Sequence, residues 1–134
     1  MDEAREQLHA REQLRALEPV FHHAEIGAGR DVFEAMTSVD YWEVGASGGV
    51  YARDFVIDTL VERYSREHRD VWVIDDFDVR RLAEDVWLAT YVLDQAGRWS
   101  RRATIWRRSG SDWVAEYHQG TLAQHAGHVF ESWL

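Results

Sequence analysis

The segment Val86 to Leu93 is apolar on both of its faces. Val86, Leu88, Thr90 and Val92 alternate with Trp87, Ala89, Tyr91 and Leu93, so a strand here needs cover above and below. Extended runs flank it. In the run before it, Val71, Val73, Asp75, Phe77 and Val79 alternate with Trp72, Ile74, Asp76, Asp78 and Arg80. After it, Gln95-Ala-Gly-Arg98 reads as a turn, Trp99 to Arg108 returns, Ser109-Gly-Ser111 turns again, and Asp112 to Gly120 is the last clear strand. These last three strands are expected to form an antiparallel meander.

The first half of the chain reads differently. Ala10, Leu14, Leu17 and Phe21 recur at spacings of four, three and four, which places a helix from Asp2 to about Glu18. Pro19, the only proline, ends or kinks it. Gly27 and Gly29 mark a connection, and Arg30 to Met36 suits a short second helix. Asp40 to Val44 is aromatic and β-branched and reads as a short strand. A turn at Ala46–Gly49 returns through Val50 and Tyr51. Asp54 is placed to cap a third helix, whose apolar face is Phe55, Ile57, Leu60, Val61 and Tyr64. Arg66 to Asp70 is a polar break, and the structure of 122–134 is left open. Helices first and a long sheet last make an α+β fold, expected as one domain over residues 1–134. The few helices can cover one face of the two-sided strand. The other face is left for a partner subunit, a second layer of the sheet or the C-terminal tail.

Composition narrows the function classes. The 134 residues carry a formal net charge of −9, which disfavours nucleic acid and anionic lipid as partners. All 15 basic residues are arginine. Cysteine is absent, which removes disulfides, thiolate catalysis and most structural zinc sites. The start Met1-Asp2-Glu3 lacks the basic and apolar parts of a signal peptide, and no run approaches the roughly 20 apolar residues of a membrane span. A soluble cytoplasmic protein is the expectation.

Three segments carry a family resemblance. They are Asp40-Tyr-Trp-Glu-Val-Gly-Ala-Ser-Gly48 with Arg53-Asp-Phe55, then Val86-Trp-Leu-Ala-Thr-Tyr91, and finally Thr104-Ile-Trp-Arg-Arg108 with Trp113 and Tyr117-His-Gln-Gly-Thr121. In this order, over about residues 5 to 121, the chain resembles the cone-shaped α+β superfamily of nuclear transport factor 2, ketosteroid isomerase and the SnoaL-like polyketide cyclases. Its nearest likeness is the stand-alone bacterial branch of that superfamily. The resemblance implies a bent sheet wrapped round the helices, a pocket at the wide end, and frequent dimerisation through the outer sheet face. It does not imply one function, since the same cone houses isomerases, cyclases, dehydratases and association modules.

His118 is the first candidate for acid–base chemistry, with a structural hydrogen bond as the alternative role. Alternation puts Val114 and Glu116 on its face, and Trp113, Ala115 and Tyr117 on the other. Trp42 suits a pocket wall and Glu43 a buried carboxylate of raised pKa; core packing and a surface ion pair are the alternatives. Asp40 is a second carboxylate candidate, or a turn former. The superfamily's enzymes commonly use an Asp base, sometimes with His, and Tyr or Asp as oxyanion donors. Asp40, Glu43, Tyr91 and His118 are the pieces available here, but no catalytic pattern matches residue by residue. Tyr91, Trp106, Tyr117 and Gln119 complete the expected ligand-binding set.

Trp72, Trp87, Trp99, Trp106 and Trp113 fall in strands and are read as core or interface. Arg98, Arg101, Arg102, Arg107 and Arg108 cluster on one hairpin. They can take a carboxylate or phosphate ligand, or pair with Asp75, Asp76 and Asp78, and the ion pairs are the simpler reading. His22-His23-Glu25 and the pair His125 and His128 lack an assignable third ligand, so no metal is expected. Gly45-Ala-Ser-Gly-Gly49 has no phosphate-loop ending, and no cofactor is implied. The leading expectation is a homodimer that binds a small, largely apolar molecule. An acid–base enzyme acting on a carbonyl-containing or polycyclic substrate, and a non-catalytic dimer scaffold, are the alternatives.

Overall fold

The computed structural model describes residues 2–66 and 71–124. Helix α1 (Glu3–Leu17) begins where the Asp2 carboxylate accepts from the Arg5 backbone N–H at 2.8 Å. It ends two residues before Pro19, across a cis Glu18–Pro19 bond. Ala10 and Leu14 are buried. Gln7 Nε2 donates to the Val79 carbonyl (2.6 Å) and Arg11 to that of Phe77 (3.1 Å), laying α1 along one edge of the sheet.

A short 3-10 turn (Ala24–Ile26) leads into α2 (Arg30–Met36), which runs directly into strand β1 (Thr37–Val44). Strand β2 (Val50–Ala52) hands over to α3 (Arg53–Tyr64) with no intervening loop. The α3 cap is therefore Ala52, and Asp54 sits inside the first turn instead of capping it. The same start rotates the buried stripe to Val56, Ile57 and Leu60. Phe55, expected on that stripe, is 56% exposed and stacks on Tyr51 with ring centroids 5.1 Å apart.

Strands β3 (Val73–Ala83), β4 (Val86–Gln95), β5 (Arg98–Ser109) and β6 (Asp112–Leu122) follow, in a six-stranded sheet ordered β2-β1-β6-β5-β4-β3. Every neighbouring pair is antiparallel except β1 and β6, which are parallel. The β4–β5 turn uses Ala96 and Gly97, both at positive φ, and Asp94 accepts from the Gly97 N–H at 2.7 Å.

Four register shifts break simple alternation, and three of them bear on the core and the site. In β3, Asp75 faces Val92 but Asp78 faces Thr90, with Asp76 at φ 53° as the extra residue. Ile74, Phe77 and Val79 consequently pack toward one core, and Val73 is exposed. In β6, Glu116 is the extra residue between the pairs Trp106–Ala115 and Ile105–Tyr117. Trp113, Ala115 and His118 are therefore buried together, which corrects the expected grouping of His118 with Val114 and Glu116. In β1, five positions separate Thr37 from Trp42, whereas their β6 partners Ala115 and Tyr117 are two apart. Within this surplus stretch Asp40 and the 81% exposed Val39 stand outward, while Ser38 and Tyr41 stay buried.

The core lies between the helices and the inner sheet face. Trp106, Tyr41, Phe33, Leu14, Ile57 and Leu93 are fully enclosed there. On β4, Trp87, Ala89, Tyr91 and Leu93 point inward. Val86, Leu88 and Thr90 lie half-buried on the outer face, which no described helix covers.

Candidate functional site

A cavity of about 390 Å³ opens between the inner sheet face and the helices. Its apolar wall comes from α3 (Phe55, Val56, Leu60), from Tyr51, and from Val20 and Phe21 after α1. Phe21 sits at φ 69°, an uncommon conformation for an aromatic residue. It is held by the Tyr64 hydroxyl, which donates to its carbonyl at 2.6 Å, and by edge contacts with Phe33 and Tyr41. The sheet side is polar, with Glu43 from β1, Gln95 from β4, Arg98 and Arg102 from β5 and His118 from β6, and Arg63, one turn beyond Leu60 on α3, adds a cation on the helix side.

Glu43 and His118 are register partners across the parallel β1–β6 pair and line the same cavity. The Tyr41 hydroxyl donates to Glu43 Oε1 at 2.8 Å. Removal from water nevertheless outweighs this bond and raises the Glu43 pKa above the usual carboxylate value. His118 is buried, and its pKa is pushed down to about 3, first by burial and then by the nearby Arg102 charge and by His22. The imidazole is neutral. Arg102 Nη1 lies 3.4 Å from Nε2 and has no acceptor capacity, so Nε2 accepts. Nδ1 then carries the proton and donates to Thr104 Oγ1 at 2.7 Å.

The chain of contacts continues inward to Glu18, which is 0% exposed. The Glu18 carboxylate accepts from the Tyr91 hydroxyl (2.9 Å), Trp106 Nε1 (3.1 Å) and the Val20 N–H (2.9 Å), and also from the Thr104 hydroxyl. Burial still dominates and raises its pKa. A polar thread thus runs from the cavity wall, His118 to Thr104 to Glu18, into the core.

Of the residues expected from the sequence, the structure brings Glu43 and His118 together at the cavity. Tyr91 and Trp106 lie behind it as donors to Glu18. Asp40 stands exposed at the β1 bulge. Trp42, Tyr117 and Gln119 are on the other side of the sheet: the two rings meet at 4.7 Å and the Tyr117 hydroxyl donates to Gln119 at 2.6 Å.

The arginines divide between the faces. Arg98 and Arg102 turn into the cavity. Arg107 pairs with Glu116 (2.6 Å), and Arg108 donates to Gln13 of α1 (3.3 Å). Arg101 stands beside Asp76 and Asp78 in a groove on the outer face, although β4 separates their strands. No group of three metal-binding side chains comes together among the described residues; His125 and His128 lie outside them.

Glu18, Thr104 and Arg63 were not singled out as site residues by the sequence, and Arg102 entered only within the hairpin arginine cluster, where ion pairs were the simpler reading. Glu18 had a signal, being the one carboxylate inside the apolar run Leu17-Glu-Pro-Val-Phe21. For β5 the signal was the alternation Arg98, Ser100, Arg102, Thr104, a polar row on the face that also carries Trp106.

No protein-family model matches the sequence, and no curated protein matches it. Solved structures do match the fold. The association domain of C. elegans CaMKII is 13% identical with a TM-score of 0.67, covering 87% of this chain and 98% of that one. An NTF2-like protein of unknown function from Pseudomonas putida is 14% identical with a TM-score of 0.64, covering 93% and 96%. Another from Silicibacter pomeroyi is 16% identical with a TM-score of 0.57, covering 92% and 100%. The class is therefore an α+β cone with helices packed inside an unclosed six-stranded sheet. At the level of fold, the chain is similar to NTF2-like proteins. No helix among the described residues is long and apolar enough to cross a membrane.

Proposed function

We propose that the protein binds a small molecule in the inner cavity. The observation that carries this reading is the cavity's two-sided chemistry: apolar side chains of α3 and the Val20–Phe21 segment face a polar sheet wall. Its volume of about 390 Å³ falls in the range of ligand pockets. Thr59 stands exposed on α3 at the lining, so Thr59→Trp fills the opening without disturbing the core. Native mass spectrometry against a fragment library tests the reading. Fragments should be retained by the wild type and lost from the variant; equal retention by both places binding elsewhere.

A second reading, acid–base catalysis on a carbonyl-containing substrate, is favoured by Glu43. A carboxyl of raised pKa beside a neutral histidine in one cavity is suited to exchanging a proton with a bound substrate. Glu43→Gln should abolish turnover of such a substrate while leaving its binding intact.

The protein is also proposed to be a homodimer through the outer sheet face. Half-buried Leu88 and Ile105 and the Trp42–Tyr117 pair supply apolar surface there, and an association domain is among the structural neighbours.

A further inference from the structure

We propose that the ligand of the inner cavity is a small carboxylate with an apolar body, its anionic end taken by Arg102 and flanked by Arg63 and Arg98. This rests on the reading that the cavity is a ligand site.

Charge count is the first ground. Three guanidinium groups and one carboxyl, Glu43, line the cavity. Among the described residues, none of the three arginines has a carboxylate within ion-pair distance. Arg98 donates only to the Ser47 hydroxyl at 3.3 Å. The Arg63 guanidinium makes no hydrogen bond to a described residue and acts on Glu43 only through its charge. Glu43 does not restore the balance, being one carboxyl among three guanidinium groups and already bonded to the Tyr41 hydroxyl.

The second ground is how Arg102 is held. Its Nε donates to Ser100 Oγ at 2.9 Å and its Nη1 to His118 Nε2 at 3.4 Å. Among the described residues Nη2 has no partner, on a side chain that lines the cavity. The guanidinium lies flat over Gly120, where an added Cβ would come within 3.1 Å of Cζ and Nε and 3.2 Å of Nη1. A bare glycine below and two neutral acceptors beside it fix the orientation without neutralising the charge. Burial without a counterion disfavours the cation and lowers the Arg102 pKa. An incoming carboxylate supplies the missing anion and matches the planar donor fork.

The third ground concerns the rest of the ligand. Phe55, Val56, Leu60 and Phe21 lie across the cavity from Arg98 and Arg102 of the sheet, so a molecule with one anionic end and an apolar body meets both walls.

Phenylacetate and its neutral isostere phenylacetamide, followed by calorimetric titration and by protein NMR shifts, test this, with inorganic phosphate as a third probe. Phenylacetate should bind the wild type at least about tenfold more tightly than the amide, the scale of one charge-assisted hydrogen bond. Arg102→Met should abolish that preference. Arg63→Met and Arg98→Met, made at more accessible positions, should each weaken it if Arg102→Met fails to fold. Gly120→Ala, which changes no charge, should reduce phenylacetate binding by shifting the guanidinium and leave amide binding unchanged. Equal binding of acid and amide, a preference that survives these variants, or binding of phosphate alone overturns the carboxylate assignment while the ligand cavity stands. If neither organic probe nor any library fragment is displaced by Thr59→Trp, the cavity reading itself falls, and this inference with it.

Discussion

Replacing Glu18 by glutamine separates two opposing energies that meet at one buried group. Tyr91, Trp106, the Val20 N–H and Thr104 all donate to the carboxylate, and two of these donors bond each of its oxygens or lie beside them. A glutamine has the same shape but one of its two heads is itself a donor. Turned toward Tyr91 and Val20, the amide faces both their protons. Turned the other way, it finds Thr104 able to accept but strands the Trp106 N–H. The second orientation is cheaper, and one stranded buried donor costs about 1–3 kcal/mol.

Against this stands the cost of keeping a carboxylate out of water, which depends on pH. Well below the ordinary value of 4.5, Glu18 is protonated in both folded and unfolded chains, and that cost is absent. Above 4.5 the unfolded chain loses the proton first, because burial raises the folded pKa. The folded state then binds more protons than the unfolded one, so wild-type stability falls by up to about 1.4 kcal/mol per pH unit until the folded carboxyl ionises. Glutamine has no such dependence. The deficit of Glu18→Gln should therefore be greatest at and below pH 4.5, at about 1–3 kcal/mol, and shrink as pH rises above it. Urea unfolding at a series of pH values, followed by tryptophan fluorescence, measures it, since Trp106 touches the carboxylate. A deficit that is flat in pH, or that grows as pH rises, refutes the balance described.

The His118 ring should show no NMR titration near 6.5, because burial beside Arg102 holds its pKa at about 3. The unfolded chain then takes up the proton first, so the stability His118 contributes is present above pH 6.5 and is lost as pH falls toward 3. A midpoint near 6.5 would show an open, hydrated ring. Thr104→Val removes the acceptor of His118 Nδ1–H and a donor to Glu18, and should lower unfolding free energy by about 1–3 kcal/mol; an unchanged urea midpoint contradicts the thread. Sedimentation velocity across a concentration series should show a dimer that Ile105→Glu dissociates, since that side chain lies on the outer sheet face. A monomer at every concentration ends the dimer proposal.

Local chemistry made much of the fold legible. The apolar spacing from Ala10 to Phe21 and the stop at Pro19 place α1, the Ala96–Gly97 turn sets the β4–β5 hairpin, and apolar alternation marks β4 as two-sided. Each of these depends on residues a few positions apart. The helix face of α3 was less legible, because where β2 hands over to α3 decides its phase, and a helix rotates about 100° per residue.

The site was legible only as residue types. His118 and Glu43 could be named from the chain, but their meeting depends on a parallel β1–β6 pairing between strands 75 positions apart at those residues. A single extra residue at Glu116 turns His118 inward beside Ala115, and the surplus in β1 carries Asp40 out. Period-two alternation is a local rule, and one bulge reverses every side chain beyond it. Which side chains share the cavity was therefore decided by long-range strand pairing. The burial that shifts the proton affinities of Glu18, Glu43 and His118 came from the same source, because desolvation is a property of the packed surroundings and not of the residue.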